Sequence, residues 1–242
     1  MQSRPSITKA TGREYNANMK PFGLTALFVV ASIGVANSFK TVAASKPGFF
    51  TAKATYAVLD SSILGKFATS TLEAEAKQAV AQFKRESSAM DKPRYPYSYQ
   101  QTNDVVYASS TLISVRTQIF WDTAGAHPNT NYTTLNFAMV KGKPKRIGLQ
   151  DLLKEGVRGY WVDDLVIASL RNQNAYSVVE DGVAGLNQQQ RDRFTINKRG
   201  LQFIFPPYDM GYYAQGTFDV ELTWSQLSPF VDPNGVLKGL VH

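Results

Sequence analysis

Apolar and polar positions alternate from Thr51 to Val58, with Ala52, Ala54 and Tyr56 on one side, and this period of two predicts a strand. The period changes further on. Leu72, Ala76, Val80 and Phe83 fall four, four and three positions apart, one face of a helix over 70–87. Ser70 with Glu73 has the spacing of a capping box and places the helix start. Lys84 and Arg85 near the other end suit the helix dipole. Residues 91–98 (DKPRYPYS) read as an extended connection. Asp104 to Trp121 is rich in Val, Ile, Thr, Tyr and Phe and divides into strands at 104–110 and 112–121. Thr123 to Asn131 (TAGAHPNTN) is a loop, and 132–140 is a strand turning at Lys141-Gly142-Lys143. Leu149 begins a short helical segment. Tyr160 to Arg171 reads as a helix with Trp161, Leu165 and Ala168 on one face, and 184–192 as a polar helical piece. Phe194–Ile196 and Leu201–Phe205 flank a hairpin turn at 197–200, where Gly200 is expected to supply positive φ. Phe218, Val220 and Leu222 alternate in a strand over 217–224, and Asp232-Pro233-Asn234-Gly235 is a final turn. Strands outnumber helices and most neighbours can be hairpins. The expected class is α+β, an antiparallel sheet with a few packed helices.

The N-terminus departs from this pattern. Residues 1–18 are polar without period, and Met19-Lys20 precedes an uncharged run from Phe22 to Ala36, 15 residues long. That is short of the roughly 20 apolar residues a membrane span needs, and it fits the apolar region of a secretory signal. Small residues follow, so cleavage is expected after Ser38 or Ala44. An uncleaved signal-anchor or a buried helix are the competing readings. Met19 is an alternative start that would give a compact signal. The organisation expected is leader 1–44, a strand-helix region 45–98 and a larger domain 99–242. The location is extracytoplasmic, periplasmic or secreted, with no stable transmembrane anchor if the signal is removed.

Charge then loses much of its meaning. The chain carries 26 Lys+Arg and 19 Asp+Glu, a net of +7. Residues 1–44 hold five of those bases and one acid, so their removal leaves 21 and 18, a net of +3. That is no nucleic-acid footprint. The dense basic cluster Lys141, Lys143, Lys145 and Arg146 reads as a solvated hairpin turn, with an anionic-polymer contact as the other reading. The chain has no cysteine, which excludes disulfides, thiolate metal sites and a cysteine nucleophile. Its two histidines, His127 and His242, cannot make a multi-histidine metal site within one chain. No metal or cofactor is expected.

Catalytic signals are sparse. Neither a Gly-x-Ser-x-Gly elbow nor a phosphate loop occurs. Asp122 and Asp209 lie near the two Gly/Pro-framed loops. They are either a carboxylate pair of the kind a glycosidase needs or turn acceptors. Asp163 and Asp164 are adjacent on a helix, about 100° apart, and cannot both face one substrate. His127 can contact a ligand, act as an acid or base, or tie its own loop. Tyr208, Asp209, Tyr212 and Tyr213 form either a recognition surface or a lid on the sheet end. The chain is expected to be a binding protein rather than an enzyme.

Four pieces in fixed order carry a resemblance. They are Gly125-Ala126-His127-Pro128-Asn129-Thr130, then Leu135-Asn136-Phe137 with Ile147-Gly148-Leu149-Gln150-Asp151-Leu152-Leu153. Next come Phe194-Thr195-Ile196 with Gly200-Leu201-Gln202-Phe203-Ile204-Phe205, and last Pro207-Tyr208-Asp209 with Tyr213-Ala214-Gln215-Gly216 before a strand and Trp224. Over residues 104–230 this resembles the C-terminal extracytoplasmic domain of the anti-sigma factor RsiV. That domain of unknown function also occurs in bacterial envelope proteins and ahead of some peptidoglycan deacetylase domains. The resemblance implies an α+β ectodomain, bacterial origin and an envelope location. In RsiV the domain binds lysozyme, and the loop matching Gly125-Ala126-His127 lies in the recognition region. Gly125, Ala126, His127, Pro207, Tyr208, Asp209 and Tyr213 are the binding residues it implies. The implied partner is a lysozyme-type muramidase, bound through 123–130 and 206–216. Peptidoglycan or another glycan is the alternative ligand, and weak cell-wall hydrolysis a lesser one. The 18 residues before Met19 are too few for a sigma-binding segment, so that role is not carried over. The family's loop reads Gly-Gly-Ala-His-Gly, whereas Ala124 and Pro128 stand here. Tyr212 takes the proline position of its Pro-Tyr-Ala.

Overall fold

The computed structural model describes residues 36–241. The apolar run that carries the export expectation lies, but for Ala36, outside the described residues, as does His242. Among the described residues no helix is long and apolar enough to cross a membrane.

A six-stranded sheet comes first: β1 (Ser38–Lys46), β2 (Phe50–Val58), β3 (Tyr97–Ala108), β4 (Leu112–Asp122), β5 (Asn129–Val140) and β6 (Lys143–Ile147), in that spatial order. All neighbours are antiparallel except β2 and β3, which run parallel. A parallel pair needs a crossover, and α1 (Ile63–Ala89) supplies it. The class is α+β, and the sheet is mixed at this one pair. The strand-helix region 45–98 thus shares a sheet with the strands that follow it.

The helix α1 starts earlier than the Ser70–Glu73 spacing suggests. Ser62 is its N-cap, and the Ser62 hydroxyl accepts the Gly65 N–H at 3.0 Å. Ser70 instead donates to the Phe67 carbonyl one turn back. The buried stripe extends the anticipated one towards the N-terminus: Leu64, Ala68, Leu72, Ala76, Val80 and Phe83. It packs on Ala52, Ala54, Val105, Val115, Leu135 and Phe137 of the sheet. In β3, β4 and β5 the α1-facing positions are the odd-numbered ones over this stretch, because Val105 pairs Val115 and Val115 pairs Leu135.

The second sheet is β7 (Phe194–Ile196), β8 (Gly200–Phe205) and β9 (Phe218–Thr223), antiparallel throughout. Short helices surround it: α2 (Asp163–Asn172), α3 (Tyr176–Val179), α4 (Gln188–Arg191) and α5 (Trp224–Leu227). α2 buries Val166, Ile167 and Leu170, with Val162 buried just before it, whereas Trp161 and Ala168 face solvent. Of the expected face only Leu165 packs against the core, partly buried, and the buried face is turned from it because Trp161 and Ala168 are exposed. A second core forms here from Phe194, Phe203, Phe205, Val220, Leu222 and their neighbours.

A polar seam joins the two sheets. It uses the face of β4 and β5 opposite α1. Ile196 N–H donates to the Ser114 hydroxyl (2.8 Å), and Asn136 Nδ2 donates to the Phe194 carbonyl (2.9 Å). The Ser114 hydroxyl in turn donates to Asn136 Oδ1 (2.7 Å). These buried side chains satisfy the free edge of β7, which would otherwise lose its hydrogen bonds away from water. The seam fixes the β4–β5 loop beside the segment between β8 and β9.

Candidate functional site

The segment 206–216 leaves β8 through a turn. The Asp209 N–H donates to the Pro206 carbonyl at 3.0 Å, and Tyr208, third in the turn, has φ +72°. This is the pattern of a type II turn, in which the third position favours Gly or Asn. A tyrosine there is strained by about 1 kcal/mol or more. It is nonetheless 61% exposed, so no burial of its ring offsets the strain. Buried Met210 anchors the segment, and its carbonyl accepts the Ser177 N–H. Gln215 ties the far end down, with Oε1 accepting the Tyr176 N–H and Nε2 donating to the Asn174 carbonyl. That tie sets Tyr212 edge-on against Tyr176, ring centroids 5.7 Å apart, with both rings exposed.

The loop 123–130 meets this segment. Asp122 Oδ1 accepts the Ala124 N–H at 2.9 Å, and Ala124 takes φ +58°. The position where the RsiV-like pattern has its first Gly is therefore left-handed, which explains that preference. Gly125 and Ala126 are exposed, and nothing lies near where a Gly125 Cβ would sit. His127 turns inward. Its Nδ1 contacts the Pro128 carbonyl at 2.9 Å, and its Nε2 contacts Tyr208 Oη at 3.0 Å. A carbonyl can only accept, so Nδ1 carries the proton; in the neutral ring Nε2 then accepts from the Tyr208 hydroxyl. Tyr213 stacks on His127, centroids 3.7 Å apart, and its hydroxyl donates to the same Pro128 carbonyl. Both lone pairs of that carbonyl are used.

The structure thus brings His127, Tyr208 and Tyr213 into one cluster, with Pro207 and Asp209 beside it. Gly125 and Ala126 only frame the loop. A cleft of about 310 Å³ adjoins the cluster, and its walls include Trp121, Asn129, Asn131, Gln189 and Arg193. Of these five only Asn129 stood in a motif of the resemblance, and none was named as a binding residue. Arg193 directly precedes β7, and a lone Arg in a polar piece carries no signal by itself. It is 7% exposed and donates through Nη1 to Asp209 Oδ2 at 2.6 Å. Asp209 is therefore engaged with Arg193, and Asp122 serves its own turn, so neither carboxylate is set up as half of a hydrolytic pair. Asp163, buried, takes both Arg191 bonds (3.0 and 2.7 Å) and the Leu186 N–H, while Asp164 faces solvent. Among the described residues no three His, Asp or Glu side chains gather as metal ligands.

A family model described as a protein of unknown function (DUF3298) matches residues 150–225. That span contains the second sheet and the 206–216 segment, but not the His127 loop. Two solved structures are similar in fold. One is a member of the DUF3298 family from Bacteroides fragilis, 15% identical, with a TM-score of 0.53, covering 84% of this chain and 96% of that one. The other is a DUF3298 family protein from Pseudomonas aeruginosa, 14% identical, with a TM-score of 0.57, covering 81% and 95%. No curated protein matches the chain. The likeness is to a domain of unknown function and to its α+β fold.

Proposed function

We propose that the chain is a non-catalytic recognition module of the bacterial cell envelope that binds a lysozyme-type muramidase through 123–130 and 206–216. The supporting observation is Tyr208. Its backbone is held at positive φ, its ring is mostly exposed, and its hydroxyl is fixed by His127. Strain kept at a mostly exposed aromatic, offset only by its contacts to His127 and Tyr213, fits a presented contact residue. Tyr212 and Tyr176 extend the aromatic surface beside it. The muramidase itself comes from the RsiV resemblance. Glycan binding at the same loops is the second reading, favoured by the amides of Asn129, Asn131 and Gln189 between Trp121 and Tyr208.

Calorimetric titration of residues 36–242 with c-type lysozyme tests the first reading. Saturable micromolar binding is expected, weakened at least about tenfold by Tyr208→Gly or His127→Ala. Glycine is the informative substitution, because relief of the φ strain offsets the contacts to His127 and Tyr213 that are lost with the ring. A folded protein that gives no heat with lysozyme would sink this reading.

Export is part of the proposal and meets β1. Cleavage after Ser38 keeps eight of its nine residues, whereas cleavage after Ala44 keeps two. Since β1 pairs β2 along its whole length, the mature N-terminus is expected at or before Phe39. Intact-mass measurement of the exported protein reads this directly, and a start at Ser45 would contradict it.

A further inference from the structure

A second groove lies on the α1 side of the first sheet, away from the His127 cluster. It holds about 390 Å³ between α1 and strands β3, β4 and β5. Gln78 and Gln82 of α1 form one wall, and Tyr99, Gln101, Ile119 and Thr133 form the floor and the other wall. Arg146 and Glu75, 3.6 Å apart, stand at one end and balance each other's charge. The lining is thus mostly polar and neutral in charge, with one aromatic ring and the aliphatic side chains of Ala79, Ile119 and Leu135.

Gln101 makes this more than a wet crease. It is 5% exposed, and its Oε1 accepts the Tyr99 hydroxyl at 2.8 Å. Among the described residues its Nε2 makes no hydrogen bond to protein and stays reachable from the groove, which leaves it free for a ligand. An amide held by one bond and open on its other side presents a fixed polar group to whatever enters the groove. Turning the amide over would only exchange which polar atom faces the groove. Burial holds the Tyr99 phenol protonated, with a pKa pushed up to about 12, so the bond that orients Gln101 persists across the physiological range.

We propose that this groove binds a neutral, extended oligosaccharide, with Gln101, Gln78 and Gln82 hydrogen-bonding hydroxyl or acetamido groups. Planar amides donate and accept side by side, which matches adjacent sugar hydroxyls, and Tyr99 and Ile119 offer apolar surface to the ring C–H face. The groove also has a direction. Tyr99 pairs Trp121 across β3 and β4, and Ile119 pairs Asn131 across β4 and β5. These pairs share the α1-facing side, so the floor continues towards Trp121 and Asn129. From Leu135 to Asn129 it runs six residues of strand, roughly 20 Å. That length suits several sugar units rather than one.

The groove shares no lining residue with the cleft beside Tyr208, although its floor runs towards Trp121 and Asn129 of that cleft, so the variants are chosen to tell the two apart. The test is calorimetric titration of the full chain with N-acetylchitotetraose and with cellotetraose. At least one should bind saturably at millimolar affinity or better. Gln101→Leu should weaken it about tenfold or more, by removing bonds that no water replaces in the complex. Gln101 is buried, so Gln78→Ala/Gln82→Ala, confined to an exposed helix face, serves as the second variant and should cost several-fold. Tyr208→Gly should leave sugar binding intact. Absence of binding by both tetrasaccharides to folded protein overturns the proposal. So does binding that survives the changes in the α1 groove but is lost in Tyr208→Gly, which would assign the sugar to the other cleft. Lysozyme titration of the same variants reads the muramidase reading separately.

Discussion

Gly200→Ala is expected to lower the thermal midpoint by roughly 6–12 °C, a cost of about 3 kcal/mol or more. Gly200 opens β8 opposite Thr223, and a Cβ there would run into the Leu222 carbonyl of β9. The obstacle is backbone, so no rotamer change relieves it. The sheet must part, and Leu222 and Val220 would withdraw from a core in which both are almost fully buried. The turn next to Gly200 resists such movement. Asn197 Oδ1 accepts from the Arg199 and Gly200 N–H groups, and Trp224 Nε1 donates to the Lys198 carbonyl at 3.1 Å. Gly125→Ala is the control: nothing lies within reach of the added carbon, and its effect should stay within about 0.5 kcal/mol. Circular dichroism melts of the two variants decide the matter. Equal midpoints would mean that β8 and β9 yield to each other at no cost.

The reason for that glycine was misread in the sequence, and the misreading shows where sequence patterns stop. A Gly closing a four-residue turn suggests positive φ, yet Gly200 is not among the glycines that adopt it. The requirement is the approach of a neighbouring strand, which only three dimensions reveal. The strands themselves were legible because alternation survives in half-buried sheets, as in Phe218, Val220 and Leu222. α1 was legible for a similar reason, but its start was not. Ser70–Glu73 mimics a capping box in mid-helix, and the true cap at Ser62 is visible only if the apolar stripe is followed back through Ala68 to Leu64. The face through Trp161, Leu165 and Ala168 is buried only at Leu165, since an apolar ring such as Trp161 can stand exposed, as lone aromatics commonly do. The parallel β2–β3 pair was also missed: a helix between two strands is the signal for a crossover, and hairpin counting overlooked it. At the site, Tyr208, Tyr213 and His127 stood out by type and by Gly/Pro framing. Arg193, Asn129 and Asn131 did not: the two asparagines read as part of a loop whereas they open β5, and Arg193 looks like a solvated position until a second layer folds over it.

Asp209→Ala is the other change expected to be costly, about 3 kcal/mol, because it leaves the Arg193 guanidinium buried without its partner. The pair is lopsided: Arg193's side chain is 8% exposed and Asp209's 21%. The converse Arg193→Met should therefore cost less, about 1–2 kcal/mol, since the stranded carboxylate retains some water. If the charge rather than the packing is at issue, Arg193→Met/Asp209→Leu should recover most of what Asp209→Ala loses. Replacing a buried pair with apolar groups of similar size is often neutral. Chemical denaturation of the three variants gives the comparison. A double variant as unstable as the worst single one would show that the loss comes from packing or from the Pro206–Asp209 turn. Wild-type stability in Asp209→Ala would show the guanidinium already hydrated through the cleft. In the expected case the ion pair fixes the turn that holds Tyr208 at positive φ. If the chain binds lysozyme as proposed, that binding should fall in Asp209→Ala even under conditions where the variant remains folded, and recover in the double variant only if the turn re-forms without the charges.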